Sequence, residues 1–270
     1  LAEDDGDFNT AVGYKALTAQ TGTSGETSNT AVGYQAAVAL TIGRYNVVIG
    51  KNALQTDDVG DSTVAIGQNT FQLQNSDSDN ESTGNTGVGY QVAPYNVTGT
   101  NNTLIGYQAG LGASGQSNSN NTAVGMNAMV AVTTGSGNTV VGQGAGDSIN
   151  SGASNVVIGD GAGDAMTNAG NNVIIGVASG ASGVNFTTGD QCVIIGSSAD
   201  TSSGDAQNQT AIGYDCNAVA DNSVTLGNAS VTAVYMAQDS GAVVHAAGMK
   251  FDTDQTNNIA ESNTLDDYEE

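Results

Sequence analysis

The sequence predicts an all-β fold, a parallel β-solenoid of about thirteen coils over residues 8–227. Three observations predict it. One short phrase recurs, as FNTAVGYKAL at 8–17, SNTAVGYQAA at 28–37, NTLIGYQAG at 102–110, NTAVGMNAM at 121–129, NVVIGDGAG at 155–163 and QTAIGYDCN at 209–217. Each phrase holds a Gly, and successive glycines from Gly13 to Gly227 are 20, 17, 17, 22, 17, 19, 17, 17, 17, 20, 17 and 14 residues apart. A constant unit of 17 with longer inserts is the signature of stacked coils with loops at one corner. The phrases are also short, β-branched and bounded by Asn and Gly, which rules against helix and for strand.

Each column of the repeat has its own chemistry. Immediately before the Gly stands a branched aliphatic in every coil: Val12, Val32, Ile49, Ile66, Val88, Ile105, Val124, Val141, Ile158, Ile175, Ile195, Ile212 and Leu226. Three before the Gly stands Thr or Val, from Thr10 to Val224. Side chains of a strand alternate with period two, so these two columns share a face. They are read as the interior of the coil.

Two before the Gly the opposite face shows Ala11, Ala31, Val48, Ala65, Gly87, Leu104, Ala123, Val140, Val157, Ile174, Ile194, Ala211 and Thr225, of which only Thr225 is polar. A strand apolar on both faces is covered on both. Val48, Leu104, Val140, Val157, Ile174 and Ile194 are therefore expected at a subunit interface, because identical chains are the natural cover for a whole rod. Four before the Gly, Asn9, Asn29, Asn46, Asn85, Asn102, Asn121, Asn138, Asn155 and Asn172 predict a stacked amide ladder at one corner. The Gly follows the strand, where a sharp bend or close backbone approach excludes a side chain. Strands stacked at the usual spacing make a rod of about 60 Å.

Flanking segments complete the organisation. Residues 1–7 lead in, 228–252 form a neck that closes the stack, and 253–270 form a polar lead into a further module. No apolar run has membrane-spanning length, and residues 1–30 lack the layout of a signal peptide.

Charge bounds the partners. The chain has 4 basic and 27 acidic residues, a formal net charge of −23. Nucleic acid is gripped by Lys and Arg, so it is an improbable partner, as is an anionic membrane surface. Cys192 and Cys216 are too few for a disulfide framework or a zinc site and read as small buried thiols.

Phrases such as NTAVGYQA, NVVIGKNA and SVTLGNA resemble the head repeats of trimeric adhesins, which also occur in bacteriophage tail fibres. The resemblance spans residues 9–230. It implies a left-handed parallel β-roll and a homotrimer, intertwined or side by side around one axis. NTLDDYEE at 263–270 is similar to a junction common in phage tail-fibre proteins, and SVTLGNASVT at 223–232 resembles the last coil before a neck. The expected function is structural: host attachment as part of a virion, with other tail proteins and a cell-surface receptor, a glycan among the candidates, as partners. The head of a bacterial surface adhesin is the rival. Departures from the adhesin pattern are the coil length, the inserts at 72–84 and 111–120, and the lack of stalk heptads.

Catalytic and metal chemistry has weaker signals. His245 is the only histidine and lies outside the repeat, with no nucleophile marked for it. A depolymerising spike enzyme would need two spaced carboxylates, and the acids Asp57, Asp58, Asp61, Asp77, Asp79 and Glu81 read instead as solvated loops. No cofactor is expected. GAGD recurs at 144–147 and 161–164, so Asp147 and Asp164 stack as calcium candidates, with turn chemistry the preferred reading. Tyr14, Tyr34, Tyr90, Tyr107 and Tyr214 each follow the motif Gly and are expected to cover the coil edge or a subunit boundary, with sugar stacking as the alternative. Ice binding is set aside because the Thr column reads as interior.

Overall fold

The structure is a computed structural model that describes residues 6–21, 25–78 and 81–234. It is a β-solenoid. Thirteen short strands, from Thr10–Val12 to Ser223–Leu226, form one parallel sheet in strict chain order. Among the described residues there is no helix. The chain divides into two units, Leu1–Val231 and Thr232–Glu270, and the solenoid lies in the first. Most of the expected neck, the polar lead, His245 and NTLDDYEE fall outside the described residues.

The recurring phrase is the strand, and its register is the register of the motif. Ala123, Val140, Val157, Ile174, Ile194 and Ala211 are successive partners across neighbouring strands, as are Val124, Val141, Ile158, Ile175, Ile195 and Ile212. Variable coil length does not disturb this pairing. The inserts are accommodated away from the sheet, where short bridges such as Asp61 with Ser82 and Asn96 with Gln116 tie one coil to the next.

Each strand ends at its Gly, with φ between 129° and 144° in the first twelve coils. A side chain there would collide with the backbone of the next coil's Gly, as at Gly50 against Gly67. The chain then turns through left-handed residues two and four positions on, such as Lys15 and Leu17, Asn52 and Leu54, or Gln91 and Ala93. Such φ values are unusual for bulky residues. Here they recur coil after coil, held by ladder bonds such as Gln35 N–H to Tyr14 O (2.8 Å) and Leu54 N–H to Thr70 O (3.0 Å).

The two strand faces are exchanged relative to expectation. Val48, Leu104, Val140, Val157, Ile174 and Ile194, expected at a subunit interface, are 0–1% exposed inside the coil of the single chain. The row expected inside points outward. Val12 is 58% exposed, Ile49 37%, Ile105 39% and Ile212 39%; Val32, Ile66, Ile158, Ile175 and Ile195 are half-buried.

The physical reason lies in the asparagines. Period-two alternation puts the residue four before the Gly on the same face as the residue two before it. That Asn is buried, so its face is the interior. The interior is also narrow. The row two before the Gly packs against small residues three after it, such as Ala36, Ala53, Ala109, Ala128 and Ala145, all fully buried. Where one position shrinks another grows: a side chain on Gly87 would strike the Phe71 ring, which occupies that space.

Candidate interaction surface

The outward face is a parallel sheet carrying two rows of side chains that are β-branched at every position but Leu226. One row alternates between Thr and Val, from Thr10 to Val224, and the other is the Val/Ile/Leu row. Thirteen strands at about 4.8 Å, each about 10 Å wide, make a face of roughly 600 Å². That equals the upper range of apolar patches on monomers, about 300–600 Å², and approaches the roughly 800 Å² that each partner contributes to a stable interface.

Aromatic residues border this face. Phe8 (73% exposed) and Tyr45 (52%) stand on the side where strands begin. Both adopt left-handed backbone, φ 66° and 59°, in a column otherwise filled by Ser, Asn, Gly and Gln. On the side where strands end stand Tyr14, Tyr34, Tyr90, Tyr107 and Tyr214, all exposed. Tyr14 stacks on Tyr34 and Tyr90 on Tyr107, each pair with centroids 5.3 Å apart. The separation is close to the strand spacing, so the register of the sheet itself sets the stack.

The asparagine column forms a buried relay. Each Asn Oδ1 accepts the backbone N–H of the residue at the same place in the next coil, and each Nδ2 donates to a carbonyl across the corner. Thus Asn138 Oδ1 accepts Asn155 N–H (3.1 Å) while Asn138 Nδ2 donates to Gly152 O (2.9 Å). Asn9, Asn29, Asn46, Asn85, Asn102, Asn121, Asn155 and Asn172 follow the same scheme in accepting from the next coil. The relay is interrupted at Thr63, and at Cys192, whose Sγ–H lies 3.5 Å from Ala206 O where an Asn amide would donate. Burial pushes the Cys192 thiol up from its ordinary pKa. Cys216 is also buried and free.

Two carboxylates that sequence reasoning assigned to loops or passed over are fully buried. Asp57 sits in a buried row that elsewhere holds Leu40, Ile149 and Met166 but also Gln20, Gln74 and Asn96. Its Oδ1 accepts the Gly60 (3.0 Å) and Ser76 (3.2 Å) N–H groups, which fastens the insert at 72–84. Burial raises the Asp57 pKa, against the opposing effect of these hydrogen bonds. Asp200 performs the corresponding task for the insert of the preceding coil, accepting Gly183 and Val184 N–H at Oδ2 and Thr201 N–H at Oδ1, all at 2.8 Å. For Asp57 the signal was available in the alignment, since an acid in a column shared with Leu40, Ile149 and Met166 needs donors from somewhere.

The GAGD segments have a conformational explanation. Gly144, Gly146, Gly161 and Gly163 occupy the left-handed positions two and four after the motif Gly, with φ 60°, 51°, 59° and 57°. Asp164 is exposed and its pKa is raised by partial desolvation and then by the neighbouring Asp147. Among the described residues no group of three or more His, Cys, Asp or Glu side chains could hold a metal. No helix among them is long and apolar enough to cross a membrane.

These features define a β-solenoid repeat protein with one extended, aromatic-bordered outer sheet. No known protein family, curated protein or solved structure shows a match to the chain.

Proposed function

We propose that the chain is one subunit of a homotrimeric rod, a segment of a bacteriophage tail fibre that serves in host attachment without catalysis. The observation that supports this reading is the outer face: apolar or Thr in every strand, and edged by seven exposed aromatic residues. Depletion of charge marks the core of a protein interface, and the exposed aromatic residues stand at the edge of that face. Neither outward row carries a charged residue on any of its thirteen strands, although the chain has 27 acidic residues elsewhere to spend on a solvated face. Cyclic association buries the face in every copy at once and leaves no open end around the axis. The exchange of the two rows moves the proposed contact from the Val140, Val157 and Ile174 row to the Val141, Ile158 and Ile175 row.

The tail-fibre reading, with its virion location, other tail proteins as neighbours and a host surface receptor, rests on the repeat phrases and on NTLDDYEE. The adhesin head shares the phrases and lacks support from that last segment.

The test is mass in solution by light scattering, followed by adsorption of the labelled rod to bacterial cells. A trimer has three times the 26.8 kDa of one chain. A dispersed single chain at micromolar concentration would remove the assembly. A stable trimer that adsorbs to none of the bacteria sharing the phage's habitat would remove the attachment role.

A further inference from the structure

The chain's basic residues are unevenly placed. Among the described residues they are Lys15, Arg44 and Lys51, all within the first three coils of a chain with net charge −23. Two of them adjoin the first tyrosine stack. Lys15 Nζ lies 5.6 Å from the centroid of the Tyr14 ring. Lys51 occupies the next rung of the tyrosine row beyond Tyr34, and backbone bonds from Gln35 N–H to Tyr14 O and from Asn52 N–H to Tyr34 O hold these rungs in register. Both lysines are exposed, as are both rings. The face of Tyr34 turned away from Tyr14 therefore looks along the row toward the Lys51 rung and carries no third stacked ring.

The second stack repeats this geometry with neutral neighbours. Tyr90 and Tyr107 have the same centroid separation, 5.3 Å, but the rungs on either side are Gln68 and Met126, and Gln91 and Gln108 replace Lys15 in the adjacent row. One rod thus carries a cationic and a neutral version of one structural feature.

We propose that the Tyr14–Tyr34 stack with Lys15 and Lys51 is a binding site for a carboxylated sugar. A pyranose presents an apolar C–H face that fits an exposed phenol ring, whose hydroxyl stays in water. A carboxylate on the same sugar meets an ammonium group. At physiological salt the Debye length is about 8 Å, so charges farther than that from the two lysines are largely screened at the stack. The stack lies at the border of the outer sheet face, which in an assembled rod is a solvent-accessible rim. Uronic-acid polymers and terminal nonulosonic acids share the required chemistry.

This inference rests on the attachment reading and names its ligand class. The assay is surface plasmon resonance on the intact immobilised rod, with polygalacturonate fragments, sialyllactose and uncharged dextran as probes, each at low and high salt. At least one carboxylated probe binds, more weakly as salt rises, and dextran does not; which probe binds separates the two sugar sources. Tyr34→Ala and Lys51→Gln each weaken binding about tenfold, a loss near 1.4 kcal/mol, with unchanged circular dichroism. Tyr107→Ala leaves binding as it was. Equal binding of dextran, no binding of either carboxylated probe, or full affinity in both Tyr34→Ala and Lys51→Gln overturns the site. A rod that adsorbs to cells yet binds neither acid probe overturns this inference alone; one that adsorbs to no cells overturns the attachment reading beneath it.

Discussion

Ile174 and Ile175 are chain neighbours on opposite faces of one strand, and they separate the forces that build the coil from those proposed to assemble the rod. Ile174 is 0% exposed, between Val157 and Ile194 in the interior row. Its branched end contacts the turn at Gly180, where an added Cβ would lie 3.4 Å from Ile174 Cδ1. Replacing it by Ala removes three carbon atoms from a closed interior and leaves a cavity that short, hydrogen-bonded strands cannot collapse. The expected cost is about 2–5 kcal/mol. At roughly 2–4 °C per kcal/mol for a protein of this size, the melting midpoint falls by about 4–20 °C. Ile175→Asp places its charge on the outer face, so the coil keeps its interior and its β-type circular dichroism. Its effect is on association, with mass falling toward the 26.8 kDa of a single chain. Thermal melts at fixed protein concentration and light scattering read the two effects apart. A neutral Ile174→Ala together with unfolding of Ile175→Asp would refute the assignment of the two faces.

Further tests probe the corners. Gly142→Ala places a Cβ on the carbonyl of Gly159 at φ +144°, and is expected to cost at least about 1–3 kcal/mol. Gly144→Asn, at φ +60° with open space around it, is tolerated, because Asn fills that position at Asn52, Asn69 and Asn127; urea midpoints compare the two. Cys192→Asn restores the amide relay between Asn172 and the carbonyl of Ala206 and raises the urea midpoint by about 1 kcal/mol of stability. Asp57→Asn keeps an oxygen for the Gly60 and Ser76 N–H groups and removes a buried charge. Because the folded pKa of Asp57 lies above its unfolded value, the wild type loses stability as pH rises from the unfolded toward the folded pKa. The variant is therefore the more stable at neutral pH, and its advantage in melting temperature disappears as pH falls through that window; a constant advantage down to acid pH would contradict the assignment.

Much of the fold was legible in the chain because a solenoid repeats its own physics. Gly13 to Gly227 mark strand ends, and every strand predicted from them pairs in the predicted order. The Asn column was legible as a stack for the same reason. The faces were misassigned because both rows of the strand are apolar, and hydrophobicity alone does not distinguish an interior from a surface to be covered. The buried Asn on the shared face held the answer: an amide that serves backbone groups of the next coil must lie inside. Asp57 was grouped with loop acids because its segment is polar, although its column is a buried one, filled by Leu40, Ile149 and Met166 or by the amides Gln20, Gln74 and Asn96. The Tyr14–Tyr34 and Tyr90–Tyr107 contacts required knowing that inserts leave the sheet register untouched.

By itself the sequence determined the period, the strand positions, the corner glycines and the apolar character of both strand faces, since each is a local demand repeated at a fixed interval. Only the tertiary structure decided which face closes on itself, which left-handed positions shape the coil, and where Asp57 and Asp200 gather their donors. Those outcomes depend on how one coil seats against the next, where Ile174 and Ile194 fit inside because small residues such as Ala145 and Ala162 line the facing turn.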